Sequence, residues 1–247
     1  MNDSNAISKV CMLAGKITLE SGAETHRVED TMNRIAAAYG LVHAHSYATP
    51  TVINFSTGPV ESTHFIRISS RSTDLHKIAN VNNISRKITA GEVGVTNALE
   101  MLEKVDHAKL TFPGWMQIVA AAFVSGSFAI MFGGTWPDYL PAFVTGGAGF
   151  AALLGGDRFL EARFITEFLA SVLIGLLSFM FIFYGWGANL DKIIIGAVMP
   201  LVPGLLITNA VRDLMAGHLV AGLSKGVEAF LTASAIGAGV ALVVGLM

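Results

Sequence analysis

The chain has 247 residues, of which 53% are hydrophobic and only 14% are charged, and its mean hydropathy is +0.59. This composition is too apolar for an ordinary soluble domain and predicts a protein that lies at least partly in a membrane. The net charge of −2 and the lack of any lysine and arginine run argue against nucleic acid as a partner. Because 22 of the 34 charged residues precede residue 112, the sequence predicts a soluble domain over 1–111 and a transmembrane domain over 112–247.

The first of these regions has the pattern of a small α+β domain, which we expect to be cytoplasmic. Its first twenty residues lack a continuous apolar stretch, so no cleavable signal peptide is expected. The single cysteine, Cys11, cannot form a disulfide within the chain, which favours a reducing compartment. Periodicity and turn residues predict the elements in this order: a helix at 5–20, a helix from about 24 to 39, strands at 43–57 and 63–70, and helices at 74–86 and 91–105.

Two local features of this domain carry further expectations. Pro50 should either place the first predicted strand at a sheet edge or split it, because proline cannot donate a ladder hydrogen bond. Ser21 and Glu24 have the spacing of a capping box at the start of the second helix.

From Trp115 onward the sequence forms apolar stretches of about 20 residues, the length that crosses a bilayer as a helix. Five spans are predicted, at 115–133, 138–156, 164–186, 190–211 and 226–247. The basic residues beside these spans predict a cytoplasmic N-terminus and, with an odd number of spans, an extracytoplasmic C-terminus. On this orientation Lys192 is outside, and the residues inside are Lys104, Lys109, Arg158, Arg163, Arg212 and Lys225.

The fourth predicted span is interrupted by Pro200 and Pro203, which cannot donate a backbone hydrogen bond. The carbonyls one turn earlier, those of Gly196 and Met199, are therefore expected to lack helical partners. Such backbone is tolerated at membrane depth only where it is buried in protein or lines a wet cavity. A helix that restarts at Gly204 would direct free N–H groups at a substrate carboxylate. The residues predicted to bind substrate are Pro203, Gly204, Thr208, Asn209, Arg212 and Asp213.

Asn209, Arg212 and Asp213 are spaced to share one face of that helix, at i, i+3 and i+4. The alternative interpretation is a kinked structural helix, in which Arg212 and Asp213 simply mark the cytoplasmic end.

Ionisable residues elsewhere in the apolar half are candidates for coupling or gating, because burial of charge in a membrane is costly. The alternative is that they form interfacial ion pairs or extend to water. The candidates are Asp157, Glu167 and Glu228, of which the two glutamates could carry a coupling proton.

A dense polar cluster at the start of the second helix contains Glu24, His26 and Arg27. It is either a docking or gating surface or a solvated helix end, where the helix dipole favours carboxylates. The strand histidines have no cysteine pair or carboxylate at ligand spacing, so no metal site is predicted. No cofactor is predicted either, and the sequence has no Walker-type motif for ATP.

Three motifs carry a resemblance to a known family. They are Leu19-Glu-Ser-Gly-Ala-Glu-Thr-His-Arg-Val-Glu-Asp30, Gly155-Gly-Asp157, and Pro203-Gly-Leu-Leu-Ile-Thr-Asn-Ala-Val-Arg-Asp213 with Gly217 and Gly222 downstream. Over essentially its whole length the chain resembles the threonine/serine exporter family. Family members occur as fused proteins with two membrane halves, or as a larger subunit paired with a small all-membrane subunit. This chain looks like the larger subunit, similar to that of a two-component bacterial succinate exporter.

The resemblance implies a non-enzymatic plasma-membrane exporter of threonine and serine, with a small partner subunit or a second copy completing the pathway. A dicarboxylate such as succinate is the alternative substrate, because Arg212 suits any carboxylate. An amino acid's ammonium would need Asp213, Glu228 or Glu167, whereas a second carboxylate needs another cation, which the spans rarely offer. A membrane-anchored hydrolytic enzyme and a regulatory subunit are the other classes considered.

Overall fold

The computed structural model describes residues 3–108, 111–159 and 163–246, and it is mostly helical with one small sheet. Its contacts group into two compact units. The first unit comprises Met1–Thr111 and Leu205–Gly226, and the second comprises Phe112–Gly204 and Val227–Met247. The division of the chain into soluble and transmembrane domains at residue 111 stays a prediction.

The N-terminal part of the first unit alternates helices with a three-stranded sheet. Its elements are α1 (Asp3–Glu20), α2 (Thr25–Ala38), β1 (His45–Thr49), β2 (Val52–Ser56), β3 (Thr63–Arg67), α3 (Leu75–Thr89) and α4 (Val95–His107). The strands pair antiparallel in the order β1-β2-β3, with Tyr47 opposite Asn54 and Asn54 opposite Phe65. Of the two alternatives for Pro50, the split is confirmed: Pro50 and Thr51 form a turn that divides the first predicted strand into β1 and β2.

One apolar core holds this part of the unit together. Ile17 and Leu19 of α1, Met32 and Ile35 of α2, and Phe55 of β2 are among its largest fully buried side chains. Burial of a side chain of this size contributes about 1.5–3 kcal/mol, so each of these positions stabilises the unit.

Cys11 lies in the same core and is fully buried. Burial raises the pKa of its thiol to about 12, because the apolar surroundings disfavour the thiolate. The thiol is therefore both inaccessible and protonated at neutral pH.

The second half of the chain consists of long apolar helices. They are α5 (Gly114–Met131), α6 (Trp136–Phe159), α7 (Arg163–Phe183), α8 (Leu190–Val198), α9 (Gly204–Met215) and α10 (Leu219–Gly245). Among the described residues, α5, α6, α7 and α10 are each long and apolar enough to cross a membrane. The segments Leu190–Leu201 and Gly204–Met215 together form a fifth candidate, as a span with a break. Four of the five predicted spans correspond to single helices and the fourth predicted span corresponds to the bent pair, while α10 begins at Leu219, before the predicted start at 226.

Asp138 joins two turns within the second unit. The carboxylate accepts hydrogen bonds from the Thr135 amide and hydroxyl, both at 2.8 Å, and from the amides of Ala188 at 2.7 Å and Asn189 at 2.9 Å. The Asn189 side chain donates a fifth bond at 2.8 Å. Asp138 is fully buried, and these donors offset the cost of desolvating its charge. The turn before α6 is thereby fixed to the turn before α8.

Candidate functional site

The fourth span is interrupted at residues 199–203, as its prolines predicted. Met199–Leu201 forms a single 3₁₀ turn, Val202 is extended with φ −62° and ψ 128°, and α9 begins at Gly204. The helical segments on either side are bent by 61° at this point. This bent pair has the geometry of a broken span or of a re-entrant loop.

The carbonyls at the break do not lack partners, so that prediction is wrong. The Gly196 carbonyl accepts from the Met199 amide, and the Met199 carbonyl accepts from the Val202 amide at 3.2 Å. The 3₁₀ turn supplies these bonds because its amides reach the carbonyl three residues back, which avoids the proline nitrogens. The Gly204 amide is not free either, since it donates to the Val202 carbonyl at 2.8 Å.

One face of α9 lies against the loop between α1 and α2, within the first unit. Asn209 donates from Nδ2 to the Gly22 carbonyl at 2.9 Å, and Arg212 donates from Nη1 to Glu24 Oε1 at 2.6 Å. Asp213 Oδ1 accepts from the Thr25 amide at 2.9 Å. The predicted sharing of one helix face by Asn209, Arg212 and Asp213 is confirmed, and that face binds polypeptide.

A glycine turn gives the α1–α2 loop its shape. Gly22 has φ +86°, its amide donates to the Leu19 carbonyl, and the Ala23 amide donates to the Thr18 carbonyl, both at 3.1 Å. This is the Schellman arrangement that ends a helix with a left-handed residue. The carbonyls of Gly22 and Ala23 are left to accept hydrogen bonds from α9 and α10.

The contacts of Asn209, Arg212, Asp213 and Lys225 with the α1–α2 loop form what we call the α9 cluster. At its centre is a buried ion pair between Asp213 and Lys225. Asp213 is fully buried and Lys225 is 4% exposed, and Lys225 Nζ lies 2.7 Å from Asp213 Oδ2. Lys225 also donates to the Ala23 carbonyl and to Thr25 Oγ1, each at 3.2 Å. The Thr25 hydroxyl in turn donates to Asp213 Oδ2 at 3.0 Å. All three ammonium donors are therefore used, as a buried charge requires.

A second glycine turn brings Lys225 back beside Asp213. Gly217 has φ +87°, its amide donates to the Leu214 carbonyl at 3.1 Å, and the next amide donates to the Asp213 carbonyl at 2.9 Å. Gly222 then lets α10 pack closely on α9, because a Cβ there would lie 2.9 Å from the Ala210 carbonyl oxygen. This close packing of α10 on α9 places Lys225 next to Asp213.

Glu24 occupies the outer side of the cluster between two arginines. Its Oε1 accepts from Arg212, whose side chain is 64% exposed, and its Oε2 lies 3.4 Å from Arg27 Nη1. Burial raises the pKa of the Glu24 carboxyl, but the hydrogen bonds from Arg212 and its own amide, with the charge of Arg27, outweigh burial and hold the pKa below its ordinary value. The predicted capping box is wrong: Glu24 is the N-cap residue of α2 but makes no side-chain cap hydrogen bond.

Two histidines border the ion pair. His26 Nδ1 lies 3.5 Å from Asp213 Oδ1 but outside hydrogen-bond geometry. His218 Nδ1 lies 3.7 Å from Glu29 Oε1, and the two imidazole rings are 6.3 Å apart. The two imidazoles thus lie beside two carboxylates, His26 beside Asp213 and His218 beside Glu29.

The remaining predicted site residues are placed as follows. Pro203 and Gly204 form the break, and the Thr208 hydroxyl donates to the Leu205 carbonyl at 3.0 Å. Glu167, which is buried on α7, accepts from the Thr232 hydroxyl of α10 at 3.3 Å within the second unit. Glu228 is half-buried on α10, and the side chain of Asp157 lies outside the described residues. The roles of all these residues stay predictions.

Sequence reasoning missed Lys225, Thr25 and His218 as members of the cluster. Lys225 gave the clearest signal, because it is the single lysine or arginine of α10 and follows Asp213 by only 12 residues. Thr25 gave none, since its partner Asp213 lies 188 residues away in sequence.

Several apolar helices of membrane-spanning length define a multi-pass membrane protein. Residues 9–247 match the family described as "Putative threonine/serine exporter". The match covers nearly the whole chain, so the chain belongs to the threonine/serine exporter family.

Several curated relatives are similar to the chain. The "Probable threonine/serine exporter" of Mycobacterium tuberculosis is 25% identical over 90% of this chain and 42% of its own length. The "Threonine/serine exporter" of Corynebacterium glutamicum is 23% identical over 98% of this chain and 52% of its own length. The chain thus spans about half the length of these two relatives.

A third relative matches the chain over nearly its own full length. The "Probable succinate transporter subunit YjjP" of Escherichia coli is 24% identical over 96% of this chain and 93% of its own length. No solved structure matches the chain significantly.

Proposed function

We propose that this chain is a non-enzymatic component of a plasma-membrane exporter that moves threonine- and serine-type amino acids out of the cell. Family membership supports the proposal, and the buried Asp213–Lys225 pair next to the broken span carries it. Removing two charges from water costs several kcal/mol per ion, and good geometry only partly offsets that cost. A helix that merely anchored an enzyme would need neither the break nor the pair.

The exposed side of the cluster is the part that suits a carboxylate-bearing substrate. Arg212 uses Nη1 for Glu24, and its guanidinium has further N–H donors on a side chain that is 64% exposed. The substrate carboxylate would bind there, on α9 close to the break. The ammonium of an amino acid would have to compete with Lys225 for Asp213, so binding and rearrangement of the pair would be linked.

A dicarboxylate is the second candidate substrate, and one observation favours it. Arg212 and Lys225 place two cations in a single cluster, whereas the sequence had suggested that a second cation is rare in the spans. The Escherichia coli relative, which the chain matches over 93% of that relative's length, is called a probable succinate transporter subunit. That name also supports a partner, which we propose to be a small all-membrane subunit or a second copy of this chain.

Reconstitution in liposomes tests the proposal. The purified chain would be inserted with and without a candidate small partner, and counterflow of labelled threonine, serine and succinate would be measured. We expect saturable flux of at least one of the three solutes, with the preferred solute identifying the substrate class. Flux without any partner would exclude a purely regulatory role, and absence of flux of all three with the partner present would contradict the proposal.

The proposed orientation places the N-terminus in the cytoplasm and the C-terminus outside. Single cysteines at two highly exposed positions test it, Val60→Cys in the first unit and Leu246→Cys after α10. We expect a membrane-impermeant maleimide to label L246C in intact cells and V60C only after permeabilisation. The native Cys11 should give no background because its thiol is buried and protonated. Labelling of V60C in intact cells would reverse the orientation.

A further inference from the structure

A polar cleft lies between α2 and α3, and Arg27 connects it to the outer side of the α9 cluster. Its volume is about 240 Å³, and every residue that lines it is polar or charged. Three of them are arginines, Arg27, Arg34 and Arg86, and the single carboxylate is that of Asp30. The lining therefore has a formal surplus of two positive charges.

Contacts within the protein neutralise only part of this charge. Arg34 pairs with Asp30, and Arg27 Nη1 contacts Glu24 Oε2 at 3.4 Å. Glu24 is already the hydrogen-bond partner of Arg212, so one carboxylate serves two guanidinium groups. Arg86 has no ion-pair partner among the described residues, although it faces the same cleft.

Two nearly buried hydroxyl groups also line the cleft. Thr31 is 7% exposed and Ser85 is 5% exposed, and neither side chain has a hydrogen-bond partner within the described part of the chain. Together with the Asn82 amide, these hydroxyls provide neutral donors beside the arginines.

We propose that the cleft between α2 and α3 binds a small dianion through its oxyanion groups, either a dicarboxylate or a phosphate. The planar guanidinium groups match the geometry of both, and the hydroxyl and amide donors complete the coordination. Two ligand charges balance the surplus in the lining. The assignment does not depend on which solute is exported. Because Arg27 also contacts Glu24, an occupant of the cleft would compete with Glu24 for that arginine.

Isothermal titration of the purified full chain in detergent tests the proposal at fixed ionic strength. The ligands are succinate, inorganic phosphate, acetate and L-threonine. We expect succinate, phosphate or both to bind, and acetate and L-threonine to bind more weakly. Arg86→Gln should weaken dianion binding about tenfold, the effect of losing roughly one charged hydrogen bond. Arg67→Gln removes the same group from the exposed surface of β3 and should leave binding unchanged.

The measured affinities show which oxyanion the cleft binds and whether the binding is specific to it. Binding of phosphate alone or succinate alone identifies the source of the oxyanion, and either supports the site. Equal weakening of dianion binding by R86Q and R67Q would indicate diffuse electrostatic attraction and would overturn the proposed site. Binding of L-threonine as tight as that of the dianions would also overturn it, as would the absence of any binding. Ser85→Ala removes a lining hydroxyl without changing charge, so it tests the same cleft if R86Q lowers the unfolding temperature. Unchanged dianion affinity in S85A and R86Q together would also overturn the site.

Discussion

Replacing Asp213 by Asn is expected to abolish export while the protein remains in the membrane. The substitution leaves Lys225, which is 4% exposed, without its charged partner, and breaking a buried pair in this way costs about 3–5 kcal/mol. Arg212→Ala should also abolish export, because it removes the guanidinium that binds Glu24 and the proposed substrate carboxylate. Efflux of labelled substrate from preloaded cells measures the effect, with the amount of protein in the membrane fraction measured in parallel.

Asp191→Asn is the matched control. Among the described residues Asp191 forms an ion pair only with its neighbour Lys192, and its side chain is 64% exposed. An exposed pair of this kind contributes about 0–1 kcal/mol, so D191N should export normally. Normal efflux in both D213N and R212A would remove the α9 cluster from consideration as the transport site.

The second large effect is expected from Gly222→Ala. A Cβ at this position would lie 2.6 Å from Leu214 Cγ and 2.9 Å from the Ala210 carbonyl oxygen. The side chain could move, but the backbone oxygen cannot without shifting α9. Since Lys225 is held to Asp213 by the same packing, we expect G222A to lower export at least about tenfold, which corresponds to roughly 1.4 kcal/mol. Initial efflux rates, normalised to protein in the membrane, provide the measurement.

Gly226→Ala provides the comparison one turn further along α10. The nearest atom to a Cβ there is Ala210 Cβ at 4.0 Å, which is ordinary contact. Alanine in a helix interior is favoured over glycine by about 0.5–1 kcal/mol, so G226A should be as stable as the native protein or more so. If the two alanine variants export equally well, close packing at Gly222 has no role in the site.

Much of the fold could be predicted because its signals are local. A span is visible as a run of apolar residues, and the break follows from prolines whose missing amide is a property of the residue itself. The division of the first predicted strand was harder to predict. Pro50 allowed either an edge position or a split, and only the pairing of Thr49 with Val52 decided between them.

The candidate site was predicted less completely because its bonds join distant segments. Arg212 and Asp213 were singled out from their own helix, and Glu24 from the start of another, but no pattern indicated that they meet. Hydrogen bonds at the break were also mispredicted. Pro200 and Pro203 remove α-helical partners, yet a 3₁₀ turn supplies other partners for the carbonyls, and the choice between these geometries depends on packing rather than on residue type.

The glycine turn at Gly22 has one mechanical consequence. Main-chain carbonyls of that turn hold Asn209 and Lys225, and the turn itself is confined, since a Cβ on Gly22 would come within 3.1 Å of the Ser72 carbonyl oxygen. Any displacement of α9 that preserves these bonds must therefore carry the end of α1 and the start of α2 with it as one rigid body.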